Sequence, residues 1–102
     1  MLRRDRVYVV CYDISGEGFE ARLRKVYRVM RGYGEHVQYS VFRCVLNDVR
    51  LAKMEGALQD VIRPTTDQVM IVPLGYADTD AAWEGWTLGV PIGDPERVVR
   101  IV

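Results

Sequence analysis

Val7-Tyr8-Val9-Val10-Cys11-Tyr12 runs directly into Asp13 and then into the turn Ile14-Ser15-Gly16. The β-branched and aromatic content predicts a central strand, and the near absence of polar positions predicts burial on both faces. Asp13 closes that strand at its C-terminal end, where a rigid backbone holds a side chain over a crevice. Next comes a helix, about Phe19–Gly32, with Ser15 as the expected N-cap and Glu17 and Glu20 suiting its positive end. Phe19, Leu23, Val26, Tyr27, Met30 and Tyr33 recur at helical spacing as its core stripe. At about 100° per residue, Arg24, Arg28 and Arg31 share a second stripe with Lys25 beside them, while Arg22 falls near the apolar edge. Amphipathicity explains why that second face is polar, but not why it is entirely positive.

Further along, Val37–Leu46 is strongly strand-like and fits either one long bent strand or a hairpin around Gln38–Ser40. Asn47 and Asp48 are capping residues for a second helix, about Val49–Val61, with Leu51, Met54, Leu58 and Val61 facing the core. Asp67–Leu74 reads as a strand. Gly75–Thr87 reads as an irregular connection, followed by strand-like Leu88–Ile92 and Arg97–Val102. Alternation of strand, helix, hairpin, helix and strand predicts an α+β fold, a ferredoxin-like βαββαβ sandwich with an extra C-terminal strand. Residues 1–102 then form a single domain, with 75–102 as connection and tail.

A chain of 102 residues, 49% hydrophobic and 27% charged, fits one globular domain. Its surface-to-volume ratio favours gaining further burial by association. No apolar run approaches the ~20 residues of a membrane span, and no signal segment precedes the first strand, so a cytoplasmic location is expected. Cys11 and Cys44 lie inside strand patterns without metal spacing and read as reduced thiols. The formal net charge of zero is unevenly distributed: residues 1–34 carry eight Lys/Arg against four Asp/Glu, and the remainder six against ten. A neutral protein of this kind has room for a local basic patch, although a solvated helix face would look the same.

Gly16-Glu17-Gly18-Phe19-Glu20-Ala21 formally matches a dinucleotide fingerprint, but two glutamates would crowd a pyrophosphate and no ribose-binding acid follows at a strand end. His36 is the single histidine, and neither a hydrolytic triad nor a zinc site can be assembled around it. Asp13 serves either as an Asx-turn or helix-capping residue or as an oxygen ligand for Mg²⁺. Mg²⁺ keeps several waters and takes only one or two carboxylates beside substrate phosphates. A symmetric dimer would bring two such acids together. Trp83 and Trp86 either pack back onto their own domain or anchor a partner.

The end of the first strand, Tyr12-Asp13-Ile14-Ser15, with Arg22-Leu23-Arg24-Lys25-Val26, Tyr33-Gly34 and above all Val37-Gln38-Tyr39-Ser40-Val41-Phe42, resembles the CRISPR-associated Cas2 family. Asp67–Leu74 is similar to that family's later strand, with Met70 where an arginine is common. The resemblance spans about Val7–Leu74 and fades beyond it. It implies a ferredoxin-like homodimer in which the two Asp13 side chains face each other. Two roles follow from it. The first is a scaffold of CRISPR adaptation that binds duplex DNA beside the integrase Cas1 during spacer acquisition. The second is an enzyme, a metal-dependent endonuclease or endoribonuclease cleaving RNA or DNA with Mg²⁺ or Mn²⁺. Asp13 would be its catalytic and metal-binding residue, with Ser40 as a supporting neighbour. Arg22, Arg24, Lys25, Arg28 and Arg31 would bind nucleic acid in either role. Trp83 and Trp86 would dock the integrase, and Arg97–Val102 would pair with a sheet edge of the partner chain. A non-enzymatic ferredoxin-like interaction domain is the reading left if the match is accidental.

Overall fold

The computed structural model describes residues 4–78 and 86–90. Four strands and two helices follow in the order β1 (Arg6–Asp13), α1 (Phe19–Arg31), β2 (Gly34–Gln38), β3 (Val41–Leu46), α2 (Asp48–Gln59) and β4 (Gln68–Tyr76). The strands form one antiparallel sheet in the spatial order β2-β3-β1-β4. That is the ferredoxin-like arrangement of the expected α+β class. Strand β1 lies between β3 and β4, so its apolar run is explained by neighbours on both edges.

Alternation along the strands sets the core. Tyr8, Val10 and Tyr12 of β1 and Phe42, Cys44 and Leu46 of β3 are buried against Val26 and Met30 of α1 and Met54 and Leu58 of α2. These helix positions are four apart, one turn, so each helix lays a single stripe on the sheet. Phe19, assigned to that stripe from the sequence, is instead 38% exposed. Helix α1 starts at Phe19 as expected, but Ser15 is not its cap: Gly18, at φ 73°, precedes it and no side chain caps its first turn. A left-handed residue at that position suits glycine. Helix α2 has the expected side-chain cap, the Asn47 oxygen accepting from the Arg50 N–H at 2.9 Å. It ends at Gln59, so Val61 contributes to the core from the turn beyond it.

Val37–Leu46 is a hairpin rather than one bent strand, with Tyr39 and Ser40 as a two-residue loop between the closing pair Gln38 and Val41. Gly34 opens β2 where the backbone passes close to β3. A Cβ there would stand 2.6 Å from the Arg43 carbonyl oxygen and overlap the Cys44 sulfur. Since backbone cannot yield as a flexible side-chain tip does, Gly34→Ala is expected to cost about 1–3 kcal/mol. A lower urea midpoint at an unchanged m-value would show it; a midpoint within error of the parent would mean that the strand simply shifts.

Three expectations are corrected by the packing. Among the described residues, helices cover one face of strand β1. On the other face Val9 and Cys11 are half-buried, neighboured by Val72 and Met70 of β4. Strand β4 runs two residues beyond the expected Leu74, to Tyr76, shortening the irregular connection. Pro73 fits inside it because β4 is at the edge of the sheet among the described strands, and the register shifts there between Val7 and Tyr8. Residues 86–90 form no strand, unlike the expected start of Leu88–Ile92. Arg97–Val102 and its expected edge pairing lie outside the described residues.

Candidate nucleic-acid and metal site

Asp13 is the last residue of β1 and is exposed, opposite Gln68 in the register with β4. Alternation places it on the helix-free face of the sheet, in line with Cys11 and Val9. An acid at the end of an apolar strip can face another chain or solvent but has no core group to satisfy. Ser40, assigned beside it from the sequence, lies in the hairpin loop rather than in a strand. Its carbonyl accepts from the Tyr12 N–H at 3.1 Å, which ties the hairpin tip to the residue before Asp13.

The loop after Asp13 is clamped from inside by an ion pair that joins residues 45 apart in sequence. Arg22 Nε donates to Asp67 Oδ2 at 2.8 Å and Nη2 to Oδ1 at 3.2 Å. The same guanidinium donates to the carbonyls of Ser15 (2.7 Å) and Glu17 (2.8 Å). Asp67 accepts further from the backbone N–H groups of Ser15 (3.2 Å) and Arg63 (2.8 Å) and from the Thr66 hydroxyl (3.1 Å). The Arg22 hydrogen bonds first, then those from the two backbone groups and Thr66, hold the Asp67 carboxyl well below the usual carboxylate range, against its burial. Asp67 in turn raises the Arg22 guanidinium.

Arg22, counted among the nucleic-acid ligands from the sequence, therefore has its donors engaged by the fold. Its place at the edge of the apolar stripe was the sequence signal for this. Asp67 went unnoticed as a site residue because it looks like the first residue of a strand; its side chain instead turns toward the β1–α1 loop. Ser15 likewise does not cap α1: its hydroxyl donates to the Thr66 carbonyl at 2.9 Å.

Arg24, Lys25, Arg28 and Arg31 are all exposed on α1. Arg31 is partly drawn back, its Nη1 donating to the Tyr27 hydroxyl at 3.1 Å. Glu20 is the single acid of the helix and lies in its first turn, away from this basic group. Trp86 is 84% exposed, whereas Trp83 lies outside the described residues. Cys44 is buried, and that burial pushes its thiol up to about 11, so it stays protonated and unreactive at neutral pH.

Among the described residues no three of His, Cys, Asp or Glu converge as a metal centre. A divalent cation at Asp13 would therefore be loosely held and largely hydrated, not closed in a protein cage. No helix among the described residues is long and apolar enough to cross a membrane.

The family model "CRISPR associated protein Cas2" matches residues 6–81, nearly the whole described fold. A protein of Thermodesulfovibrio yellowstonii named CRISPR-associated endoribonuclease Cas2 2 is 52% identical over 67 residues, 66% of this chain and 70% of that one. Another of that name series, endoribonuclease Cas2 1 of Rhodospirillum rubrum, is 39% identical over 99 residues, 96% of this chain and 92% of that one. The crystal structure of Streptococcus pyogenes Cas2 superposes with a TM-score of 0.63 at 30% identity, covering 68% of this chain and 86% of that one. The match takes in the strand that ends in Asp13, the basic helix and the hairpin together, and the chain belongs to the CRISPR-associated Cas2 family.

Proposed function

We propose that this chain works as a two-fold dimer that binds duplex DNA as the scaffold of CRISPR spacer acquisition, beside the integrase Cas1. The observation that carries the DNA-binding part is the exposed group Arg24, Lys25, Arg28 and Arg31, left over after Arg22 is engaged by Asp67. Guanidinium forks match phosphate oxygens, and a helical stripe can follow a backbone without reading bases. Support for the dimer comes from the helix-free sheet face. Val9, Cys11, Met70 and Val72 form an apolar strip that no helix among the described residues covers, and Met70 is 51% exposed. A second copy would cover that strip and bring its own Asp13 toward the first. Trp86, large and exposed, is the described residue best suited to anchor the integrase.

Replacing Arg24, Arg28 and Arg31 by glutamate tests this. Duplex affinity should fall, and the slope of log K against log salt should flatten by about 2–3 if each arginine neutralises one phosphate. Light scattering should still report a dimer. An unaltered affinity and slope would mean that the patch is a solvated face; a monomer in the parent protein at micromolar concentration would remove the two-fold scaffold.

The exposed position of Asp13 favours a second reading, a metal-dependent phosphodiesterase acting on RNA or DNA; both relatives described above are named endoribonucleases. Asp13 would hold Mg²⁺ or Mn²⁺ together with substrate oxygens and, across a two-fold axis, the partner's equivalent acid. A bound cation there would relieve repulsion between the two carboxylates and polarise a phosphoryl oxygen or water. The Arg22–Asp67 clamp would keep the backbone after Asp13 from drifting, and Ser40 would act through its bond to Tyr12 rather than by touching substrate.

A further inference from the structure

Gln68 is the first residue of β4 and stands directly across from Asp13 in the antiparallel register with β1. Alternation along β4 sends Val69 and Ile71 toward the core, so Gln68 shares the open face with Met70 and Val72, the face that also carries Asp13. Directly opposed residues on one face of an antiparallel pair have Cβ atoms about 5 Å apart. An exposed carboxylate and an exposed primary amide are therefore neighbours at the end of the apolar strip.

The fold braces this pair from just beyond it. Asp67, which precedes Gln68, accepts from the N–H of Ser15, two residues after Asp13, at 3.2 Å. Ser15 in return donates its hydroxyl to the Thr66 carbonyl at 2.9 Å, and Arg22 spans both segments through Asp67 and the Ser15 carbonyl. Gly16 packs so closely there that a Cβ on it would stand 3.1 Å from Thr66 Cγ2. The chain leaving β1 and the chain entering β4 are thus held at one spacing, with Asp13 and Gln68 side by side. Mg²⁺ and Mn²⁺ take oxygen ligands, and the carbonyl oxygen of a glutamine amide is one that carries no charge. A second carboxylate in its place would repel Asp13 whenever the cation is absent, whereas an amide does not.

We propose that Gln68, through Oε1, supplies a second protein oxygen to the divalent cation held by Asp13, and so sets how tightly that cation is bound. This role rests on the phosphodiesterase reading of Asp13. It leaves most of the ion's coordination to water and substrate oxygens, in keeping with a loosely held cation. Gln68 acts on the metal, while the basic stripe of α1 acts on the nucleic-acid backbone.

Mn²⁺ is the probe, because the loss of its free-ion EPR signal reports binding without any cleavage. The full-length chain is titrated with Mn²⁺ in the absence of nucleic acid, as parent, Gln68→Ala, Gln68→Glu and Asp13→Asn. Asp13→Asn should lose the most affinity. Gln68→Ala should bind Mn²⁺ about tenfold more weakly than the parent, the low end of what removing a group that tunes a metal site costs. Its melting temperature should match the parent, since the side chain is exposed. Gln68→Glu should bind Mn²⁺ more tightly, because two carboxylates then face one ion. Parent-like affinity in Gln68→Ala, or no gain in Gln68→Glu, beside a clear loss in Asp13→Asn would overturn the role of Gln68 and leave the Asp13 reading intact. Parent-like affinity in Asp13→Asn, or no binding by the parent, would reject the Asp13 reading and the role of Gln68 together. Weaker oligonucleotide binding by Gln68→Ala in EDTA, with Mn²⁺ affinity unchanged, would also overturn the role, since the amide would then meet the nucleic acid and not the cation.

Discussion

Asp67→Ala should lower the melting temperature on the order of 10 °C or more, the largest loss expected from any single side chain in this domain. The Asp67 side chain is fully buried and that of Arg22 is only 13% exposed. Removing the carboxylate strands the guanidinium and leaves the N–H groups of Ser15 and Arg63 without their acceptor. Asp67→Asn keeps an acceptor but loses the charge, and should fall between the parent and Asp67→Ala. The pH dependence follows from the lowered carboxyl. A group whose folded value lies below its unfolded value of about 3.9 contributes stability above that pH and loses it as pH falls toward the folded value. The stability gap between parent and Asp67→Asn should therefore be constant at neutral pH and shrink below about pH 4. Thermal melts from pH 7 down to pH 3 measure both effects. A gap that widens on acidification, or a melting point for Asp67→Ala within a few degrees of the parent, would show that the pair is dispensable.

Asp13→Asn should reduce metal-dependent cleavage by about 100-fold or more, the scale of removing one preorganised electrostatic stabiliser. The fold should be untouched, because Asp13 is exposed and takes no part in the Arg22–Asp67 network. The melting temperature and the light-scattering mass should match the parent. If the two acids face each other in a dimer, the metal-free dimer should be slightly tighter in the variant, since a repulsive pair has been neutralised. The substitution also separates the two proposed roles. A scaffold needs its basic surface and its partner contacts but no carboxylate for a cation, so spacer acquisition should persist in Asp13→Asn cells. It should fail when Trp83 and Trp86 are both replaced by alanine in a chain that still dimerises. Loss of acquisition with Asp13→Asn in a folded dimer would make the phosphodiesterase the primary function; full cleavage by that variant would place the chemistry elsewhere.

Much of the architecture was legible in local patterns. The apolar run Val7–Tyr12, the helical stripe through Val26 and Met30 and the cap at Asn47 each report a preference acting over a few residues. Their order was enough for a ferredoxin-like sandwich. Asp13 was legible too, because a lone acid closing an apolar strand stands out by contrast. The hairpin at Gln38–Val41 was legible only as one of two alternatives, since its loop carries Tyr39 at φ 40° in place of the glycine or asparagine that would have announced a turn.

The tertiary structure alone decided the rest, and the reason is distance along the chain. Arg22 differs from its basic neighbours in the sequence only by its place at the apolar edge, and the fold alone sets Asp67, 45 residues away, against its guanidinium. Periodicity records which side of a helix is polar, but not which arginine has a carboxylate waiting for it. Likewise the composition of β1 shows that both faces favour apolar surroundings, while only the packed sheet shows that the helices cover one of them. Sequence determined what each element prefers to bury; tertiary contact determined which groups were left over, namely Arg24, Lys25 and Arg28 on the outside of α1, Asp13 at the end of β1 and the strip from Val9 to Met70 on the open sheet face.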